Sequence, residues 1–206
     1  MHIPVAIVLG GDTPLGILAC RKFYERSCAV LLSGSDRKLL RSTHSQLFNS
    51  GWVELHFTKS RGRASGQQCA EIAKEKFPHI NWLFCVIELS EDEEVPSQEN
   101  EDLPKKLESA TEEAAAAFKY FSHSTSAIVA VVLKSGGPRW EGKVREWVET
   151  EQERLNQTLR QEGPDCTFLV WRIPEPGEGS NAVGELADTI VNTFWKAEFG
   201  DDFSFD

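Results

Sequence analysis

Near its start the chain runs Val5-Ala6-Ile7-Val8-Leu9-Gly10-Gly11-Asp12-Thr13-Pro14-Leu15-Gly16. A continuous apolar run that stops at paired glycines predicts a strand buried on both faces. Such strands occur where helices cover both sides of a parallel sheet. Beyond the turn, Leu15, Leu18, Ala19 and Phe23 fall on one helical face, so a helix follows directly. One strand–turn–helix unit cannot bury both faces of its strand. The same rhythm has to recur along the chain.

It does recur. Cys28 to Leu32 reads as a second strand, with Ser33-Gly34-Ser35-Asp36-Arg37 as its turn. Asp36 is placed to cap a helix through Leu40, Thr43 and Leu47 that stops at Gly51. Trp52 to Phe57 is a third strand, and Lys59-Ser60-Arg61-Gly62-Arg63 reads as a basic, flexible loop. A helix carrying Cys69, Ile72, Ala73 and Phe77 closes at Pro78, and Trp82 to Ile87 is a fully buried fourth strand. An acidic stretch over about 90–102 reads as a surface loop before an alanine-rich helix, about Leu107 to Phe121. Ala127 to Leu133 is a fifth strand, broken at Lys134-Ser135-Gly136-Gly137-Pro138. Trp140, Val144, Trp147, Val148, Leu155 and Leu159 mark a long helix, Cys166 to Ile173 a sixth strand, and Ala182 to Glu198 a last helix. The tail 199–206 mixes acids with aromatics. Six strands alternating with helices predict a doubly wound parallel sheet of Rossmann-like, three-layer α/β/α type, one domain over 1–206.

Composition narrows the function. Lysine and arginine total 22 against 32 acids, a net charge of −10, so no basic stripe is expected to displace counterions from a nucleic acid. No apolar run reaches the roughly 18 residues of a membrane span, and membrane insertion is not expected. Cys20, Cys28, Cys69, Cys85 and Cys166 form no CxxC pair and sit among apolar neighbours. Buried thiols in a reducing compartment are expected, cytoplasmic or organellar and not secreted. The histidines have no metal-ligand spacing, so no metal site is expected.

With these motifs in hand, the chain resembles the short-chain dehydrogenase/reductase family over nearly its whole length. The Gly10-x5-Gly16 turn is similar to that family's Gly-rich opening. Leu31-Leu32-Ser33-Gly34-Ser35-Asp36 with Lys38-Leu39 resembles its second strand and helix start, and Ile80 to Glu88 stands in place of its fourth strand. Arg172-Ile173-Pro174 resembles the turn after its sixth. The resemblance implies a site for NAD or NADP on Gly10, Thr13, Leu15 and Gly16, with Ser35 and Arg37 beside the adenosine.

The same resemblance exposes departures. The middle glycine of the opening is replaced by Thr13 or Pro14. Cys85-Val86-Ile87-Glu88 stands where the family has a small Asn-Asn-Ala-Gly turn, placing bulk and negative charge near an anionic ligand. The adenine-contacting carboxylate falls on Thr58 or Lys59. The tyrosine and lysine of the catalytic set fall near Arg145 and Glu149, and its serine on Leu133, with Ser135 the nearest substitute. Tyr24 and Tyr120 lie in no Tyr-x-x-x-Lys frame, so the proton donor the reaction needs is missing. The expectation is a non-catalytic relative serving as a structural or regulatory subunit, with no cofactor certain. The competing expectation is an atypical NAD(P)-dependent oxidoreductase. A protein partner is expected to dock at Trp140, helped by the acidic loop and the tail.

Overall fold

The computed structural model describes residues 3–47, 52–90, 102–118, 126–134, 166–173 and 181–199, together with positions 146, 149, 150 and 153. In chain order the elements are β1 (Val5–Leu9), α1 (Pro14–Glu25), β2 (Ala29–Gly34), α2 (Arg37–Gln46), β3 (Val53–Phe57) and α3 (Arg63–Lys76). They continue as β4 (Trp82–Ser90), α4 (Asp102–Phe118), β5 (Ser126–Lys134), β6 (Cys166–Ile173) and α5 (Ala182–Phe199). The strands form one six-stranded sheet in the order β3-β2-β1-β4-β5-β6, with every neighbouring pair parallel. This is the doubly wound arrangement, and its order reverses between β1 and β4.

Strand alternation sorts the core into two layers. Val5, Ile7, Leu9, Leu31, Leu83, Cys85 and Ile87 face one side, where Cys69 and Ala73 of α3 and Ala110, Ala114 and Ala117 of α4 cover them. Ala6, Val8, Val30, Leu32, Trp82, Phe84 and Val86 face the other, under Leu15, Ala19 and Phe23 of α1, Leu40 of α2 and Ile190, Val191 and Phe194 of α5. The second layer is pinned by aromatics. Phe23 stacks on Trp82 with centroids 5.6 Å apart, and Phe194 lies 5.9 Å from Phe23 and 6.0 Å from Trp82. That cluster fixes α1 and α5 side by side on one face of β4, each ring pair adding about 0.5–1.5 kcal/mol beyond its burial.

Several boundaries differ from the sequence expectation. β2 runs through Ser33 and Gly34, because both continue the ladder to β3 opposite His56 and Phe57. β4 runs on to Ser90, opposite Lys134 of β5, so Glu88 belongs to a strand and not to a turn. α4 begins at Asp102, within the stretch read as acidic loop. α2 ends at Gln46, with Leu47 as its cap. Gly51, residues 91–101 and most of the expected Trp140–Leu159 helix lie outside the described residues; Glu146, Glu149, Thr150 and Glu153 are helical and exposed.

A candidate site at the carboxyl ends of β1 and β4

The β1–α1 turn sits where the strand order reverses, the position at which open α/β sheets receive ligands. Gly10 has φ 73°, and a Cβ there would lie 2.6 Å from the Val86 carbonyl oxygen. Only glycine suits both the backbone and the space. Thr13 caps α1: its hydroxyl accepts from the Gly16 N–H at 3.1 Å and donates to the Gly10 carbonyl at 2.7 Å. Pro14 follows in the first helical turn, where its missing N–H costs nothing. The Leu15 N–H donates to Glu88 Oε1 at 3.3 Å, and the Leu15 side chain is buried. A carboxylate of the chain thus stands at the positive end of α1, where an anion is electrostatically favoured.

A second carboxylate does the same one strand over. Asp12 Oδ2 accepts from the Ser35 N–H at 2.7 Å, the Ser35 hydroxyl at 2.8 Å and the Asp36 N–H at 2.8 Å. Partial burial alone would raise the Asp12 pKa, but these hydrogen bonds outweigh it and hold the carboxyl below its ordinary value. Gly34 has no side chain because Asp12 fills that space. Asp12 therefore ties the β1–α1 turn to the β2–α2 turn.

The third occupant is Arg61. Its Nε donates to Glu113 Oε2 at 2.7 Å, its Nη1 to the Val86 carbonyl at 2.6 Å and its Nη2 to Cys85 Sγ at 3.1 Å. Ser65 Oγ donates to the other oxygen of Glu113 at 2.6 Å. Glu113 is 1 % exposed and Arg61 27 %, so this pair lies mostly out of water. Burial alone would lower the Arg61 pKa, but Cys85 and Glu113 outweigh it and hold the guanidinium above its ordinary value. Burial also pushes the Cys85 thiol up to about 11, against the pull of Arg61. Nearby, Ser33 Oγ and His56 Nδ1 are 2.9 Å apart and buried, and burial holds the His56 pKa below its ordinary value.

The structure brings Gly10, Thr13, Leu15, Gly16 and Ser35 together around this crevice, and places Arg37 on the exposed start of α2. Arg37 and Arg41 both lie over the Phe57 ring, at 5.5 and 5.6 Å from its centroid. Leu133 lies within β5. Glu149, at the position of the family's lysine, is an exposed helical residue. Tyr24 is partly buried against the α1 side of the core, away from this edge. Tyr120, Ser135, Trp140 and Arg145 lie outside the described residues. Cys20, Cys28, Cys69 and Cys85 are free and buried, and the described residues contain no cluster of metal-ligating side chains.

Three participants were not singled out from the sequence. Arg61 was expected in a flexible loop, yet it is held at both ends by a buried acid and a strand carbonyl. Glu113 carried a readable signal: it falls beside Ala110, Ala114 and Ala117 on the buried face of α4. Asp12 carried none, since a turn acid usually faces water.

No family model matches the chain, and no curated protein matches it. Solved structures do. A short-chain dehydrogenase from Mycobacterium smegmatis superposes with a TM-score of 0.70 at 16% identity, over 92% of this chain and 85% of that one. One from Oenococcus oeni gives 0.68 at 13% identity, over 94% and 92%. One from Burkholderia cenocepacia, in complex with NADP, gives 0.70 at 12% identity, over 93% and 90%. Together with the strand order and the glycine turn at its reversal point, these likenesses establish that the chain has the Rossmann-like fold of the short-chain dehydrogenases/reductases.

Proposed function

We propose that this chain is a non-catalytic protein of the dehydrogenase fold, its dinucleotide crevice closed by its own side chains, acting as a structural or regulatory subunit. The observation that carries the reading is the seating of Glu88 on the Leu15 N–H and of Asp12 on the Ser35 and Asp36 N–H groups. Both carboxylates lie where a dinucleotide would bring negative charge, and like charges in a partly buried site repel. Arg61 adds bulk against Gly10 and Val86, where close backbone approach is needed. The absence of a Tyr-x-x-x-Lys frame supports the same reading. Free, buried thiols agree with a reducing compartment.

A second reading is an atypical NAD(P)-dependent oxidoreductase that uses water as its proton source. The solved structures favour it over the first, since those compared are dehydrogenases and one holds NADP. The retained Gly10–Gly16 turn also favours it. For this chemistry Glu88 has to leave the start of α1.

Thermal unfolding with and without NAD(H) and NADP(H) separates the two. A ligand at about 100 times its Kd adds roughly 2.7 kcal/mol to stability. The expected result is no shift with either cofactor at millimolar concentration. A clear shift, or nicotinamide-dependent turnover of any carbonyl compound, overturns the proposal in favour of the second reading.

A further inference from the structure

Helix starts normally carry acids, because the first turn is the positive end of the dipole. In this chain α2 begins Arg37-Lys38 and α3 begins at Arg63, and neither helix has an acid in its first turn. α3 also lacks a capping side-chain hydrogen bond at Gly62. Both starts lie at the carboxyl edge of the sheet, and the Thr58 N–H bonded to the Gly34 carbonyl at 3.0 Å holds the end of β3 beside the β2–α2 turn. Between residues 37 and 63 the only acid is Glu54, which strand alternation turns to the opposite face from Phe57.

The cations are arranged as well as clustered. Arg37 and Arg41 both stack on the one Phe57 ring, which anchors the two charges to a common platform. Arg37, Lys38, Arg41, Lys59 and Arg63 are exposed, and none is ion-paired with a described residue. The acids nearest this face, Asp12 and Asp36, are spent on backbone N–H groups. We propose that this face docks an acidic segment of a partner polypeptide.

Carboxylates match the fork of a stacked guanidinium, and an open surface suits an extended segment. A nucleotide phosphate is opposed at close range, because the Asp12 carboxylate already holds the N–H groups behind Arg37. The inference does not depend on whether the crevice binds a dinucleotide. One is read by peptide affinity, the other by nucleotide-induced thermal stabilisation.

The test is fluorescence anisotropy of a short labelled glutamate-rich peptide at low ionic strength with the full chain. The expected result is saturable binding that weakens as salt is added. Arg37→Glu combined with Arg41→Glu is expected to weaken it by about tenfold or more. Lys76→Glu, at the far end of α3, is expected to leave it unchanged. Circular dichroism and thermal unfolding check that each variant is folded. If the double charge reversal unfolds the chain, Arg37→Gln with Arg41→Gln takes its place. No binding, or binding indifferent to these variants, overturns the proposal. So does tighter capture of a single-stranded oligonucleotide on the same face, or an NADP-induced thermal shift that the double variant abolishes.

Discussion

At Arg61 one guanidinium joins the β3–α3 loop to α4 through Glu113 and to β4 through Val86 and Cys85. Removing one partner of a buried ion pair leaves the other charge stranded, at a cost of about 3–5 kcal/mol. Arg61→Met is therefore expected to lower unfolding stability in urea by about that amount at neutral pH. Arg61→Met combined with Glu113→Leu is expected to recover part of the loss, since no charge is then stranded while Ser65 Oγ and the Val86 carbonyl still lose their partners. A double variant as unstable as the single one would show that the pair does not carry the effect. Asp12 makes a prediction in pH. Its folded pKa is depressed, so its contribution is present above the unfolded value of about 3.9 and is lost as pH falls through the folded value. Asp12→Asn is expected to cost about 1.5–3 kcal/mol at pH 7. That gap should narrow steadily below about pH 4 in paired denaturation curves; a constant gap from pH 7 to pH 2 would exclude the charge as its cause.

Among the elements, α3 and α4 pack closely because Gly66 has no side chain: a Cβ there would overlap the Glu113 carbonyl oxygen and crowd the Ala117 nitrogen. Ala114 and Ala117 are buried in this packing and against the chain's own sheet. Gly66→Ala is expected to push the helices apart and destabilise by about 1–3 kcal/mol, read from the midpoint of urea unfolding. An unchanged midpoint would mean that the helices slide at no cost. The strands, their order of occurrence and the N-cap at Asp36 were readable from apolar runs and one Asx signal. The ends of β2 and β4 were not. Ser33, Gly34 and Glu88 look like turn residues, and only pairing with β3 and β5 keeps them in the ladder.

Across the whole molecule, charge is unevenly spread. The chain carries −10, yet residues 37 to 63 hold six cations against the single acid Glu54. Trp140, the partner contact expected from the sequence, lies outside the described residues. Summed charge governs long-range steering, whereas docking depends on which charges share a face. The structure places Arg37 and Arg41 on one ring, a juxtaposition that four-residue spacing permits but the identity of Phe57 as their platform does not reveal.

The sequence by itself determined the doubly wound class, the glycine turn at Gly10 to Gly16 and the burial of the described cysteines. Each of these follows from local signals: continuous apolar runs for the strands, a 3.6-residue apolar period for the helices, and a turn conformation that favours glycine. Tertiary structure alone decided which side chains meet at the carboxyl ends of these strands. Asp12 meets Ser35 across 23 residues, Arg61 meets Glu113 across 52, and Glu88 meets Leu15 across 73. Those meetings depend on the parallel crossovers that bring β1, β2 and β4 side by side. A pairing of charges over such separations leaves no periodicity in the chain, because it is fixed by strand order and register and not by neighbouring residues.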